Sequence, residues 1–168
     1  MKLHQICGKD AKRPFMSYIQ YKDGFFYATD GHMLVKVPAS MCLPFIDFPQ
    51  NKTFYVSATE WRTSKIWEAQ SGKVVGNTIE IVSKKGIPYT ILLEDNINYP
   101  SFESFKSSTP TSLERIALDA SLLATIQESC FLKNIILEFT GKHSGIRILS
   151  TDNKDFFAML MPVQIPAL

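Results

Sequence analysis

Tyr27-Ala28-Thr29-Asp30-Gly31-His32-Met33-Leu34-Val35-Lys36-Val37-Pro38 is the stretch on which the reading of this chain turns. It lies in a run that alternates like a strand, yet small and polar residues interrupt it where alternation should continue. A strand, a tight turn and a second strand fit that interruption. Asp30-Gly31 is a turn pair, because glycine accepts a positive φ without steric penalty. Phe25-Phe26-Tyr27 before it and Met33-Leu34-Val35 after it supply β-favouring side chains. Asp30 and His32 are also residue types that serve in catalytic sets. No serine or cysteine nucleophile adjoins them, and Asp-x-His alone is weak evidence for a hydrolase. The residues by themselves favour a turn that presents polar groups at a sheet edge.

The chain has 168 residues, the size of one domain or a tight pair of half-domains. Hydrophobic residues make up 45%, enough for a real core, and twelve phenylalanines suit a β-rich fold. A net charge of +2 is too weak to announce a nucleic-acid surface on its own. Cys7, Cys42 and Cys130 are odd in number and widely spaced, matching no disulfide or metal pattern. A reducing cytoplasm is therefore expected, with no metal or cofactor. The N-terminus has no apolar run of signal-peptide length, and no stretch approaches the ~20 apolar residues of a membrane span. The expectation is a soluble, cytoplasmic protein without a membrane partner.

Taken in order, residues 1–13 end in the basic cluster Lys9, Lys12 and Arg13, read as a solvated terminus or a nucleic-acid-facing arm. Residues 14–38 read as a hairpin and its continuation: an alternating strand Phe15–Tyr21, a turn at Lys22-Asp23-Gly24, and a return through the Asp-Gly corner. Pro38, Pro44 and Pro49 make residues 38–52 an ordered loop rather than a helix. A strand begins at Phe54. Ser57 with Glu60 then has capping-box spacing for a helix running to Ala69 and ending near Ser71-Gly72. Strands follow at Val74-Val75, Asn77–Val82 and Pro88–Leu93. The Ser-, Thr- and Pro-rich run Lys106–Ser112 is the best linker candidate.

Beyond it, Leu113–Leu118 reads as a strand and Asp119 as the N-cap of a helix through Ser129. Strands return at Asn134–Thr140, Ile146–Ser150 and Phe156–Pro162. Strand–helix–strand–strand–strand thus occurs twice, from residues 54 and 113. The expected fold is α+β: duplicated β-α-β-β-β units with antiparallel sheets and helices on one face, plus an N-terminal β-hairpin. The division is residues 1–112, hairpin plus first unit, and 113–168, the second unit, the two forming one compact domain.

Ala28-Thr29-Asp30-Gly31-His32-Met33-Leu34 resembles the Ala-Thr-Asp-Gly-His-Arg-Leu signature of bacterial sliding clamps, the β subunits of DNA polymerase III, with Met33 in place of Arg. Three further segments are similar to clamp segments and occur in family order. Val56-Ser57-Ala58-Thr59 resembles the strand-to-helix junction of the clamp's middle domain. Tyr99-Pro100-Ser101-Phe102 resembles Phe-Pro-Asp-Tyr at that domain's end, with Ser101 where the acidic residue stands. Met159-Leu160-Met161-Pro162-Val163 resembles Val-Val-Met-Pro-Met near the clamp C-terminus. A clamp subunit has three domains built from six such units, and two subunits close a ring. This chain has two units and a leading half, as if the latter half of the middle domain ran directly into the last unit.

The resemblance implies a non-enzymatic DNA replication accessory protein, a processivity factor without cofactors. In the family, a groove between the middle and last domains binds short peptide motifs of polymerases and the clamp loader. By motif position that implicates Thr29, Gly31, His32, Met33 and Leu34, then Pro100 and Phe105, then Met159, Met161, Pro162 and Val163. Methionine suits a promiscuous apolar surface, although Met159 or Met161 taken alone, on an alternating strand, reads first as a core residue. The family's helices also present cations to double-stranded DNA. Here that implicates Arg62, Lys65, Lys73 and Lys133, a thin basic lining. Two functional readings follow. One is a homo-oligomeric ring that encircles DNA and binds replication partners through the groove. The other is a monomeric adaptor or decoy that binds clamp-interacting peptides or the host clamp without encircling DNA.

Overall fold

The structure, a computed structural model, describes residues 1–101, 116–139, 141 and 144–163. Strands β1 (Tyr18–Lys22), β2 (Phe25–Thr29) and β3 (Met33–Pro38) form an antiparallel meander. Its first turn is Asp23-Gly24, with φ of 49° and 87°. Two consecutive positive φ values match the right-handed twist of the flanking strands, so the hairpin closes in two residues. The strand expected over Phe15–Tyr21 is shorter than that. Pro14–Ser17 is a 3-10 turn, with Pro14 supplying the φ that starts it, and pairing begins only at Tyr18.

A single helical turn, α1 (Ala39–Cys42), follows Pro38 inside the stretch expected to be loop throughout. Proline at a helix start lacks only an N–H that would be unpaired there anyway, so it permits this turn rather than forbidding it. The first unit then runs β4 (Thr53–Ser57), α2 (Ala58–Ser64), β5 (Ala69–Val75), β6 (Thr78–Ser83) and β7 (Pro88–Leu92). Ser57 caps α2 by accepting the Glu60 amide at 3.0 Å. The helix stops well before the expected Ala69. Lys65 adopts a left-handed φ of 48°, a 3-10 turn over Ile66–Glu68 buries Ile66 completely, and Ala69 already pairs with Ser83. Burying Ile66 turns the chain out of the helix one turn early.

The second unit contains α3 (Ala120–Cys130), β8 (Ile135–Glu138), β9 (Ile146–Ser150) and β10 (Phe157–Leu160). Asp119 caps α3 by accepting the Ser121 amide at 2.8 Å. Most of the strand expected at Leu113–Leu118 lies outside the described residues, as do the linker Lys106–Ser112 and Thr140; Ala117 bridges Val163. The fold is thus α+β, with duplicated β-α-β-β-β-like units, antiparallel sheets and an N-terminal hairpin region. A seven-stranded sheet has the order β4-β1-β2-β3-β10-β9-β8, and a three-stranded sheet the order β5-β6-β7.

The large sheet joins the hairpin to the second unit through β3 and β10, which pair Val35 with Ala158 and Leu34 with Met159. Directly opposed residues share a face, so the pairing registers sort the side chains. One face carries Phe54, Val56, Ile19, Tyr21, Phe26, Val35, Val37, Ala158 and Ile148, all buried. Trp61 of α2 and Ile126 of α3, both fully buried, belong to the same core, and Trp61 meets Phe26 edge-on at 5.2 Å. The other face carries Tyr27, Leu34 and Met159, a smaller cluster with Tyr99 against it.

The solvated terminus expected over residues 1–13 holds for the exposed Lys9, Lys12 and Arg13 but not for the residues before them. Leu3 and Ile6 are fully buried, and a 3-10 turn over Leu3–Gln5 is tied to both helices. The Trp61 indole N–H donates to the Met1 carbonyl at 3.1 Å, the Lys2 amide to the Ser129 carbonyl at 2.9 Å, and the Ser129 hydroxyl to Gln5 Oε1 at 3.0 Å. The apolar residues at positions 1, 3 and 6 are buried while the basic ones that follow stay in solvent. Truncating Leu3 to alanine should lower the unfolding free energy by about 2–5 kcal/mol in a urea titration. A loss under about 0.5 kcal/mol, the size of a surface change, would return this segment to solvent.

Candidate functional site

The turn between β2 and β3 is built by its own side chains. Thr29 Oγ1 donates to the Met33 carbonyl at 2.7 Å and accepts the Gly31 amide at 3.0 Å. Asp30 Oδ1 accepts the amides of His32 and Met33, both at 2.8 Å. These bonds give Asp30 a folding role, the Asx turn, in place of the half-dyad its spacing to His32 allowed. Among the described residues, no group of three or more His, Cys, Asp or Glu side chains is placed to hold a metal ion.

Beyond this turn the chain returns from the far end of the sequence. The Met161 amide donates to the His32 carbonyl at 2.9 Å, extending the β3–β10 pairing past its last strand residue. Between turn and strand lies an open, mostly apolar groove of about 160 Å³. Thr29, Gly31, His32, Met33 and Leu34 line it from the turn, Met159 and Met161 from β10 and its extension, and Pro100 from the segment after β7. Met159 is buried and Met161 is 40% exposed, so one methionine forms the floor and the other an accessible wall.

Two glycines make room for these walls. Gly31 has a φ of +89°, and a Cβ there would stand 2.5 Å from Met16 Cε and 2.9 Å from Arg13 Nη1. A Cβ at Gly145 would stand 2.5 Å from Met159 Sδ and 3.4 Å from Met161 Sδ. Met16, Phe15 and Arg13 complete the lining. Sequence reasoning missed these three: it placed Phe15 and Met16 on a strand and Arg13 in a basic terminal cluster. The signal was Pro14, whose fixed φ begins the 3-10 turn that swings its neighbours toward Gly31.

Behind the groove, Tyr99 anchors the Pro100 segment. Its hydroxyl lies 3.3 Å from the carbonyls of both Tyr18 and Tyr27, and its ring packs edge-on to Phe15 at 5.7 Å. Burial pushes the Tyr99 phenol well above its usual range and the nearby Cys7 thiol up to about 12, so both groups stay neutral. Of the remaining residues assigned to the groove, Val163 is 50% exposed and donates its amide to the Ala117 carbonyl at 3.0 Å. Pro162 and Val163 stand outside the lining, and Phe105 lies outside the described residues.

The cations assigned to DNA belong to different elements. Arg62 and Lys65 are exposed on α2 and its C-cap, and Lys133 is exposed after α3. Lys73 lies on β5 and pairs with Glu80 of β6 at 3.2 Å. His4 stacks on Trp67 at 4.9 Å. Burial first, then the charges of Arg62, Lys2 and the amino terminus, hold its pKa below the usual histidine value.

No protein-family model matches the chain, and no curated protein matches it in sequence. Its fold is that of bacterial clamps. The DNA polymerase III subunit beta of Borrelia burgdorferi, solved with a natural product, superposes with a TM-score of 0.71 at 10% identity, over 98% of this chain and 62% of that one. The beta subunit of Thermotoga maritima gives 0.68 at 10% identity, over 98% and 63%. The sliding clamp of Bacillus subtilis gives 0.66 at 12% identity, over 98% and 62%. The chain therefore spans less than two thirds of the length of these clamps.

Replacing Gly31 with alanine combines an unfavourable φ with the displacement of Met16. The unfolding free energy should fall by about 1–3 kcal/mol in a urea titration. An unchanged midpoint would mean that the turn accepts a Cβ.

Proposed function

We propose that this chain is a non-enzymatic, cytoplasmic adaptor with a clamp fold that captures short extended peptides of DNA replication proteins, a polymerase or a clamp loader, in the groove between the Thr29–Leu34 turn and Met159–Met161. One observation carries the reading: residues from opposite ends of the chain, matched separately to clamp signatures, line one apolar cleft. A shallow groove with thioether walls accepts differing apolar anchors, because methionine re-packs at low cost. The backbone turn supplies a rigid rim, which limits the ordering cost of binding.

The test is a titration of a fluorescent peptide carrying the clamp-binding segment of a bacterial replicative polymerase. Combining Met161→Ala with His32→Ala should weaken binding about fivefold or more while the far-ultraviolet circular dichroism stays unchanged. Equal affinity for the native and doubly substituted proteins would remove the groove from the binding reaction.

Encirclement of DNA is the less supported reading. It needs several copies of a chain shorter than the clamps it resembles, and Lys73, one of the cations assigned to phosphate contact, is paired with Glu80. Light scattering coupled to size exclusion, at two concentrations and two salt levels, should give the mass of a monomer. An assembly of about three to six copies would turn the reading to a ring, since cyclic symmetry closes such interfaces.

A further inference from the structure

A second cavity, of about 280 Å³, shares only Pro100 with the peptide groove. Strand register builds its walls. Gln20 stands opposite Tyr27, Tyr27 opposite Lys36, and Lys22 opposite Phe25, so all five side chains share the sheet face away from the helices. Gln20 is only 7% exposed. Its Nε2 donates to the Tyr55 hydroxyl at 3.3 Å, which uses one of two N–H groups. The second N–H and Oε1 have no partner among the described residues. A buried amide with unused hydrogen-bonding capacity is costly unless something polar meets it. Lys22 makes no ion pair among the described residues, and the Lys36 ammonium is held 3.8 Å from the Phe25 ring centroid. Asp23 is the one acid among the described residues of the lining, so the two lysines leave the cavity cationic.

We propose that this cavity binds a small hydroxylated phosphate monoester of the sugar-phosphate class. Lys22 and Lys36 receive the phosphate, and the Gln20 amide receives a hydroxyl. A phosphate dianion matches two ammonium groups, which act on it as point charges. A primary amide donates and accepts, as a hydroxyl does, so the unused N–H and Oε1 fit a hydroxylated ligand better than a bare anion. Phe25 and Tyr27 supply the apolar wall that such pockets place beside a few polar groups. Lys22 is exposed, so water and salt weaken its share of the binding without abolishing it. None of the polar residues used here lines the peptide groove, so either reading can fail without the other.

The experiment titrates the isotope-labelled full chain with ribose 5-phosphate and follows amide signals by nuclear magnetic resonance. Ribose and inorganic phosphate are the comparison probes. Ribose 5-phosphate should shift the Gln20 side-chain amide saturably, and its affinity should fall as salt rises. Lys22→Ala should weaken it about threefold or more. Gln20→Leu, which keeps the volume and removes the amide, should reduce it to the affinity of inorganic phosphate. Ribose should give no saturable shift. No saturable shift at Gln20 up to millimolar ribose 5-phosphate, or an unchanged affinity in Lys22→Ala, overturns the proposal. Equal affinity for ribose 5-phosphate and inorganic phosphate means an adventitious ion only and overturns it too, as does equal affinity for ribose. The comparison of the three probes on the native chain decides the matter whether or not Gln20→Leu folds.

Discussion

The pairing of β3 with β10 is the constraint on which the rest of this molecule depends. It joins residues more than a hundred positions apart and welds the N-terminal meander to the last strands of the chain in one sheet. Its register puts Leu34 opposite Met159 and carries the Met161 amide to the His32 carbonyl. A slip of one residue would send Met159 to the helix-covered face and Ala158 to the groove, since side chains alternate along a strand. The large core face, where Val35 meets Ala158, opposes such a slip. The groove therefore inherits its geometry from the core beneath it.

The turn preceding β3 is stiff for a different reason. Thr29 and Asp30 accept local amides, and Thr29 also donates to Met33, so the backbone needs no outside partner to hold its shape. Gly31 removes the one Cβ that would collide with Met16 and Arg13. The result is a rim defined by local hydrogen bonding, facing a floor defined by distant strand pairing. Methionine on the floor and wall adds an adaptable surface between two rigid supports.

The helix layer follows the same economy of surface. Two helices capped by Ser57 and Asp119 cover one face of the large sheet, and the N-terminal segment makes hydrogen bonds to both. Leu3, Ile6, Trp61 and Ile126 are thereby withdrawn from water together. Arg62, Lys65 and Lys133 are exposed on α2, its C-cap and the segment after α3.

Much of this was legible in the residues alone. Asp23-Gly24 and Asp30-Gly31 announce turns because few residues accept positive φ, and Ser57 and Asp119 announce helix starts because their oxygens satisfy orphan amides. Alternation announces most strands, and the clamp-like segments pointed to the fold. Local bonding decides such features, and local sequence records it. Where burial decided instead, the reading failed: Ile66 ends α2 early, Leu3 and Ile6 anchor the first residues in the core ahead of an exposed basic cluster, and Pro14 turns Arg13, Phe15 and Met16 toward Gly31. By itself the sequence determined the turns, the caps and the α+β class. Only the tertiary structure decided which residues face one another across the groove, because that depends on the register of strands far apart in the chain and on which apolar side chains the core has room to bury.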